Sequence, residues 1–139
     1  MAQLLKTQPG IGPITSLAFV LTIGDVSRFQ NGKRIASYLG LIPREHSSAG
    51  KQRLGGITKQ GNRMMRMLLV EAAQNAVHRD PSLSKQYAHR CHTKPKAVAK
   101  VAAARKLAVR LYWMLRTHTP YPEIVRIESS PRVPLVGAS

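Results

Sequence analysis

Ser47 and Ser48 are the residues of this chain whose type and surroundings best suit covalent chemistry. They lie in a glycine-rich, basic stretch and are followed by the sequence AGK. A serine hydroxyl becomes a useful nucleophile only when its proton is removed and the developing charge is stabilised. The neighbouring Arg44, Lys51 and Arg53 are suited to stabilising a five-coordinate phosphorus. The residues alone also fit a second interpretation, in which both serines only form turns.

The charge of the chain indicates which kind of partner this basic segment would bind. The 139 residues carry 22 Lys and Arg against 6 Asp and Glu, a formal net charge of +16, and 43% of them are hydrophobic. This combination is typical of a folded domain that binds a polyanion rather than of a disordered tail. Nucleic acid fits best, and an anionic membrane surface fits poorly because the basic helices alternate with alanine rather than with large apolar residues.

Several classes of protein are excluded at this stage. One cysteine cannot build a disulfide framework, and no apolar run approaches the ~18 residues that a membrane span requires. The start of the chain lacks the features of a signal peptide, so we expect a cytoplasmic, nucleoid-associated protein. The acids are too few and too scattered for a self-sufficient two-metal nuclease, which needs several converging carboxylates. They are Asp25, Glu45, Glu71, Asp80, Glu123 and Glu128.

Two segments are predicted to contact a phosphate backbone. The first is the turn Gly10-Ile11-Gly12, which can direct backbone N–H groups outward next to the positive end of the following helix. The second is the basic, glycine-rich segment between Arg44 and Arg66, where glycine allows a close approach of the backbone. The residues predicted to bind DNA are Gly10, Gly12, Arg44, Lys51, Arg53, Lys59, Gly61, Arg63 and Arg66.

The elements that must position these residues are predicted to be helices throughout, because no stretch has a convincing period of two. The expected fold is a small all-α domain with a helix-hairpin-helix-like motif and a long basic loop over 41–61. Pro13, Asn31, Asn62, Asp80 and Lys94-Pro95 give helix start signals, with an apolar stripe at Ile14, Leu17, Ala18 and Leu21 in the first full helix. The domain is expected to span 1–118, with a flexible proline-rich tail over 119–139.

The remaining polar and aromatic residues are predicted to be structural. His89, Cys91 and His92 are spaced so that they cannot all face one metal ion from a single helix. Tyr112 and Trp113 are expected in the core rather than stacked on bases. The basic residues of the last long helix are expected in solvent. They are Lys96, Lys100, Arg105, Lys106 and Arg110.

Four separated motifs resemble one known family. They are PGIGPITS at 9–16, ASYLGLIPREHSSAGK at 36–51, GGITKQGNRMMRMLLVEAA at 55–73 and AAARKLAVRLYWML at 102–115. In this order and spacing they resemble the C-terminal transposase domain of the insertion-sequence-110 family, recombinases that work with a bridge RNA. The resemblance covers about residues 4–118, and the proline-rich tail has no counterpart in it.

The resemblance implies a chemistry. In that family the serine of a segment like SAGK attacks DNA and forms a covalent phosphoserine link, which points to Ser48, with Ser47 as the fallback. The resemblance also implies a separate ribonuclease-H-like acidic domain that binds Mg²⁺ and completes the active site within an oligomer. No cofactor is expected in this chain itself, and DNA, a guide RNA and further copies of the protein are the implied partners. We therefore expect a truncated or excised transposase domain, inactive alone; the alternative is a DNA- or RNA-binding module without chemistry.

Overall fold

A computed structural model describes residues 1–41 and 56–128, and for residues 56–61 it describes the backbone but not the side chains. Within these ranges the chain is helical and contains no β-strand, which confirms the all-α prediction. A short 3₁₀ turn, Val26–Arg28, follows the second helix. The α-helices are α1 Ala2–Leu5, α2 Pro13–Ile23, α3 Gly32–Tyr38, α4 Gly56–Ala76, α5 Pro81–Thr93, α6 Lys96–Thr117 and α7 Glu123–Glu128.

Helix α2 is apolar on all sides, and its buried face is not the one that the spacing suggests. Pro13 occupies the first turn as predicted, and Gly24 ends the helix at φ 69°. Phe19 and Ile23 lie in the core together with Ser16, whereas three of the four residues of the predicted stripe face outward and Ala18 is half-buried against the core. Its members Ile14, Leu17 and Leu21 are 73%, 52% and 73% exposed.

Helix α3 begins and ends as predicted. The Asn31 side chain accepts a hydrogen bond from Arg34 N at 3.0 Å, which caps the first turn. At the other end the Gly40 N–H donates to Ser37 O and the Leu41 N–H donates to Ala36 O. This pair of bonds is the Schellman arrangement, and Gly40 supplies the positive φ of 73° that it needs.

Helix α4 begins six residues earlier than its sequence indicates. We predicted a loop to Gly61 and a cap at Asn62, but the helix already begins at Gly56 and Asn62 lies inside it. The side of the helix that carries Met65, Leu69 and Ala73 is buried in the core. Met64 is 64% exposed.

Helices α5 and α6 form an antiparallel hairpin whose second member organises the core. Asp80 caps α5 by accepting hydrogen bonds from Ser82 N and Leu83 N, and Pro95 precedes α6, both as predicted. Helix α6 packs against α1, α3, α4, α5 and α7. Tyr112 and Trp113 are buried, which confirms their assignment to the core.

The chain after His118 is more ordered than predicted. Residues 123–128 form α7, and Ile124 within it is completely buried. The prolines at 120 and 122 precede this helix rather than preventing it. Residues 123–128 are therefore helical where a flexible tail was expected, and residues 129–139 lie outside the described part.

Candidate nucleic-acid interface

The turn between α1 and α2 is a tight glycine hairpin seated on the end of α4. Gly10 has φ +97°, a conformation that side chains rarely adopt. A Cβ at this position would lie 2.9 Å from both the Cβ and the backbone nitrogen of Ala76. Gly10 is therefore required by the fold, both for its backbone conformation and for its approach to α4.

Gly12 has a different environment. It precedes Pro13, has an extended backbone with φ −97°, and its carbonyl accepts the first helical hydrogen bond from Ser16 N at 3.0 Å. A Cβ built on Gly12 meets no atom within 4 Å. The space beside Gly12 is thus open to an approaching group, and nothing in the packing demands glycine there.

A buried polar cluster holds the hairpin in place. The Ile11 N–H donates to Gln8 O at 3.1 Å, and the Gln8 side chain is completely buried. Gln8 Nε2 donates to Asp80 Oδ2 at 2.9 Å, while Gln8 Oε1 accepts from Arg110 Nη1 at 3.2 Å. The hairpin is thereby tied to the start of α5 and to the middle of α6.

Arg110 is the centre of this cluster, and the prediction that it lies in solvent is wrong. Its side chain is 0% exposed and forms ion pairs with Asp80 and with Glu128 of α7. Its Nη2 also donates to Ser82 Oγ at 2.8 Å. Burial alone would raise the pKa of Asp80, but the hydrogen bond from Gln8 and the charge of Arg110 more than offset this and lower it. One signal could have revealed the burial, since Arg110 lies three residues after Leu107 on the apolar side of α6.

Two side chains of α4 form hydrogen bonds to carbonyl groups at the end of α3. Asn62 Nδ2 donates to Tyr38 O, and Arg66 Nη1 donates to Leu39 O at 3.4 Å. With the two Schellman bonds, every carbonyl from 36 to 39 has a donor. Gly40 has no side chain that would collide with the Arg66 guanidinium. The chain therefore leaves α3 toward residue 42 from a fixed position.

The predicted contact residues do not form one cluster. Arg63 is exposed on α4 and Arg66 is half-buried beside α3, whereas the Gly10–Gly12 hairpin lies at the other end of α4, beside Ala76. Ten residues separate Arg66 from Ala76, about 15 Å along a helix. Lys59 and Gly61 are part of α4, in the segment for which only the backbone is described. Ser47, Ser48, Arg44, Lys51 and Arg53 lie outside the described residues.

The described carboxylates do not fit a Mg²⁺ site. In residues 1–41 and 56–128 no three His, Cys, Asp or Glu residues are grouped so as to hold a metal ion. Asp80 and Glu128 pair with Arg110, and Asp25 caps the 3₁₀ turn by accepting from Ser27 N. None of the helices in the same ranges has the length and apolarity that crossing a bilayer requires.

Comparison with known proteins gives one consistent result. The sequence profile of the transposase IS116/IS110/IS902 family matches residues 2–88, well over half of the chain. No solved structure is significantly similar.

Curated relatives agree with the profile. A probable family 20 transposase of Pseudomonas aeruginosa is 37% identical over 123 residues, which cover 86% of this chain and 36% of the relative. The transposase for insertion sequence element IS1111A of Coxiella burnetii is 39% identical over 72 residues, 52% of this chain and 20% of the relative. The pilin gene-inverting protein of Moraxella bovis is 35% identical over 124 residues, 86% of this chain and 38% of the relative. The chain thus spans between 20% and 38% of the length of these relatives.

Proposed function

The chain belongs to the IS116/IS110/IS902 transposase family, and on this basis we propose that it is the DNA-binding, serine-bearing part of a DNA transposase or site-specific recombinase. The family match carries the proposal, because the matched residues 2–88 include the glycine hairpin, both candidate serines and the basic side chains around them. Relatives named as transposases and as a gene-inverting protein support DNA as the substrate.

The charge and the architecture support the binding half of this proposal. A net charge of +16 favours a phosphate backbone as the partner. The hairpin with its open space at Gly12 and the exposed Arg63 on α4 offer two places, about 20 Å apart along α4, at which a backbone can be held. Such contacts fix position but carry little sequence information, so we expect few base-specific contacts from this chain.

Ser48 is the proposed nucleophile. Its hydroxyl gives up a proton as Oγ bonds to a DNA phosphorus, and the bond from that phosphorus to one deoxyribose oxygen breaks. The released strand end takes up a proton and becomes a free hydroxyl, while the protein keeps the other strand as a phosphoserine ester. Arg44, Lys51 and Arg53 would stabilise the charge of the five-coordinate phosphorus. Ser47 is the fallback nucleophile.

Two further components are proposed to come from outside the described chain. Carboxylates that bind Mg²⁺ would be supplied by an acidic ribonuclease-H-like domain, since the described carboxylates do not fit such a site. A guide RNA would supply the choice of target sequence. With both, we expect a composite site within an oligomer.

A covalent-transfer assay tests this proposal. The purified chain is incubated with Mg²⁺ and a radiolabelled, nicked or bulged DNA duplex, with and without an added acidic domain, and then denatured. We expect label on the protein, which Ser48→Ala abolishes while DNA binding stays intact. Ser47→Ala is the matched control and should retain the label.

Two other results of this assay would change the proposed nucleophile or the proposed function. Label that survives Ser48→Ala but not Ser47→Ala would move the nucleophile to Ser47. Binding without label under every condition would favour the alternative function, a DNA- or RNA-binding module that performs no chemistry.

A further inference from the structure

The short segment between α2 and α3 carries a guanidinium group that is exposed and yet held in place. The Cζ atom of Arg28 lies 4.8 Å from the centre of the Phe29 ring and 5.4 Å from the centre of the Tyr38 ring. Its Nη2 donates to Ile23 O at 2.9 Å. Contacts of this kind between a cation and an aromatic ring are attractive. Arg28 is nevertheless exposed to solvent, so its charge has a defined position at the surface.

Two more exposed arginines lie beside the same aromatic residues. Arg116, in the last turn of α6, donates through Nη1 to Phe29 O at 2.8 Å. Arg34 lies four residues before Tyr38, and residues at this spacing share one side of a helix. We call Arg28, Arg34 and Arg116 the arginine patch. None of its members was predicted from the sequence to bind DNA.

The arginine patch has no counter-charge in the part of the chain that the structure describes. None of its members forms an ion pair there. Between Asp25 and Glu45 the sequence has four Lys and Arg residues and no acid. Asp25 itself accepts hydrogen bonds from Ser27 N and Ser27 Oγ, and these bonds, more than the charge of Arg28, lower its pKa. Aromatic rings and carbonyl groups thus orient the cations of the patch without neutralising them.

The two guanidinium groups that are held in this way also keep unused donors. In hydrogen bonds to residues 1–41 and 56–128, Arg28 uses only Nη2 and Arg116 uses only Nη1. A guanidinium carries more N–H donors than these bonds use. The other donors suit the oxygens of a phosphate, which a guanidinium binds in pairs. Because both side chains are already positioned, less conformational entropy is lost when an anion binds.

We propose that the arginine patch binds the phosphate backbone of a nucleic acid, separately from the contacts proposed for the hairpin and α4. The patch borders α3, which is the last described helix before the serine-bearing segment of the chain. This order in the chain suits a surface that holds the strand offered to Ser48. The inference rests on the proposed function in that it takes nucleic acid as the partner, and DNA and RNA supply the same phosphate chemistry.

The test is the salt dependence of binding. The dissociation constant of the full chain is measured by fluorescence anisotropy between about 50 and 200 mM salt, a range in which counterion release changes affinity strongly. One arm uses duplex DNA and the other a stem-loop RNA. The variant is Arg28→Gln/Arg34→Gln. The control, Lys85→Gln/Lys96→Gln, removes the same charge from two exposed positions that form no ion pair in the described chain.

Loss of two phosphate contacts should reduce the slope of log K against log salt by about 1.8 for duplex DNA, and affinity at about 0.1 M salt should fall at least about tenfold. The control should change the slope by less than half as much. Adding Arg116→Gln to the variant should bring the total reduction to about 2.7. Arg28→Lys/Arg34→Lys keeps both charges and should restore most of the slope, which separates a lost contact from a folding defect. A reduced slope in only one arm assigns the patch to DNA or to RNA.

Failure of this inference can be told apart from failure of the proposed function. Equal slopes for the Arg28→Gln/Arg34→Gln variant and its control, with covalent transfer by Ser48 intact, would overturn this inference alone. A reduced slope without any covalent transfer would support the arginine patch and count against the proposed chemistry. An unmodified chain whose binding to both nucleic acids does not depend on salt would overturn the patch together with the proposed DNA binding.

Discussion

Gly10 and Ala76 touch where the α1–α2 hairpin meets the end of α4. A Cβ on Gly10 would lie 2.9 Å from the Cβ of Ala76, closer than side-chain carbons approach each other, and φ at Gly10 is +97°. Gly12, two residues later, has an ordinary extended φ and no atom within 4 Å of a built Cβ. The two glycines of one motif therefore have separable roles.

Gly10→Ala should destabilise the fold. A residue other than glycine in this conformation costs about 1–3 kcal/mol, and the contact with the Ala76 backbone adds to it. We expect the free energy of unfolding in urea to fall by about 2 kcal/mol or more, measured by circular dichroism.

Gly12→Ala is the matched variant and should affect binding rather than stability. Since the position is open, its effect on unfolding should stay below about 1 kcal/mol. If the hairpin holds a phosphate backbone, the added methyl group weakens DNA binding, measured by anisotropy at fixed salt. A Gly12→Ala protein that binds DNA like the parent would remove the hairpin from the interface.

Arg110→Met should be severely destabilising. It leaves the carboxylates of Asp80 and Glu128 without their partner in the interior, where breaking a buried pair costs about 3–5 kcal/mol. Urea unfolding measures the loss. The double variant Arg110→Met/Asp80→Asn should lose less than the sum of the single variants, because the two groups interact directly. Arg126→Gln breaks only an exposed pair with Glu123 and should cost less than about 1 kcal/mol.

The stability of the protein should fall in acid because of Asp80. Its pKa in the folded state lies below the ordinary value of 3.8, so the unfolded chain binds a proton more readily. The contribution of Asp80 is fully present above that ordinary value and is lost as the pH falls toward the lower folded value. Urea midpoints measured from pH 6 to pH 2 should show this decline. The decline should be shallower in Asp80→Asn, and parallel profiles would contradict the assignment.

Asn62→Ala should loosen the junction of α3 and α4. The substitution removes the donor to Tyr38 O, and leaving this partly buried carbonyl without a partner should cost about 1 kcal/mol or more. We expect faster amide hydrogen exchange over residues 36–41 than in the parent. Gln74→Ala, also on α4 but exposed, is the control and should leave exchange in that segment unchanged.

The outer face of α2 should tolerate polar residues. Ile14 and Leu21 are each 73% exposed, so Leu21→Gln should change the free energy of unfolding by less than about 0.5 kcal/mol. Ile23→Ala removes side-chain volume from the core at the same end of the helix and should cost about 2–5 kcal/mol. Similar losses in the two variants would show that the outer face is covered.

The helices whose signals are local could be predicted from the sequence. Asn31 and Asp80 are caps that act within three residues, and both are confirmed. Asn62 gives the same local signal, but its side chain bonds to Tyr38, 24 residues earlier, and the helix continues past it toward the N-terminus. A residue that caps a different helix cannot be distinguished from one that caps its own by local pattern.

The buried cluster could not be predicted for a related reason. Arg110 meets Asp80 and Glu128 only because α5, α6 and α7 converge, and these partners are 30 and 18 positions away in the sequence. In the candidate interface, the residue types predicted a turn at Gly10–Gly12, and the chain turns there between α1 and α2. Their spacing could not show that Gly10 serves packing while Gly12 faces open space, because that difference depends on the position of α4.

Helix α4 fixes the distance and the rotation between two contact sites of the fold. One of its ends is seated under the hairpin at Gly10, and about 15 to 21 Å along the helix Arg66 and Asn62 hold the last turn of α3. Each residue of an α-helix advances it by about 1.5 Å and turns it by about 100°. Removing a single residue from the middle of α4 would therefore rotate its contact with Gly10 by about 100° around the helix axis, relative to its contact with the end of α3. Between Arg66 and Ala72, exposed positions such as Met67 should accept exchanges of side chain, but the stretch should not tolerate a change of length.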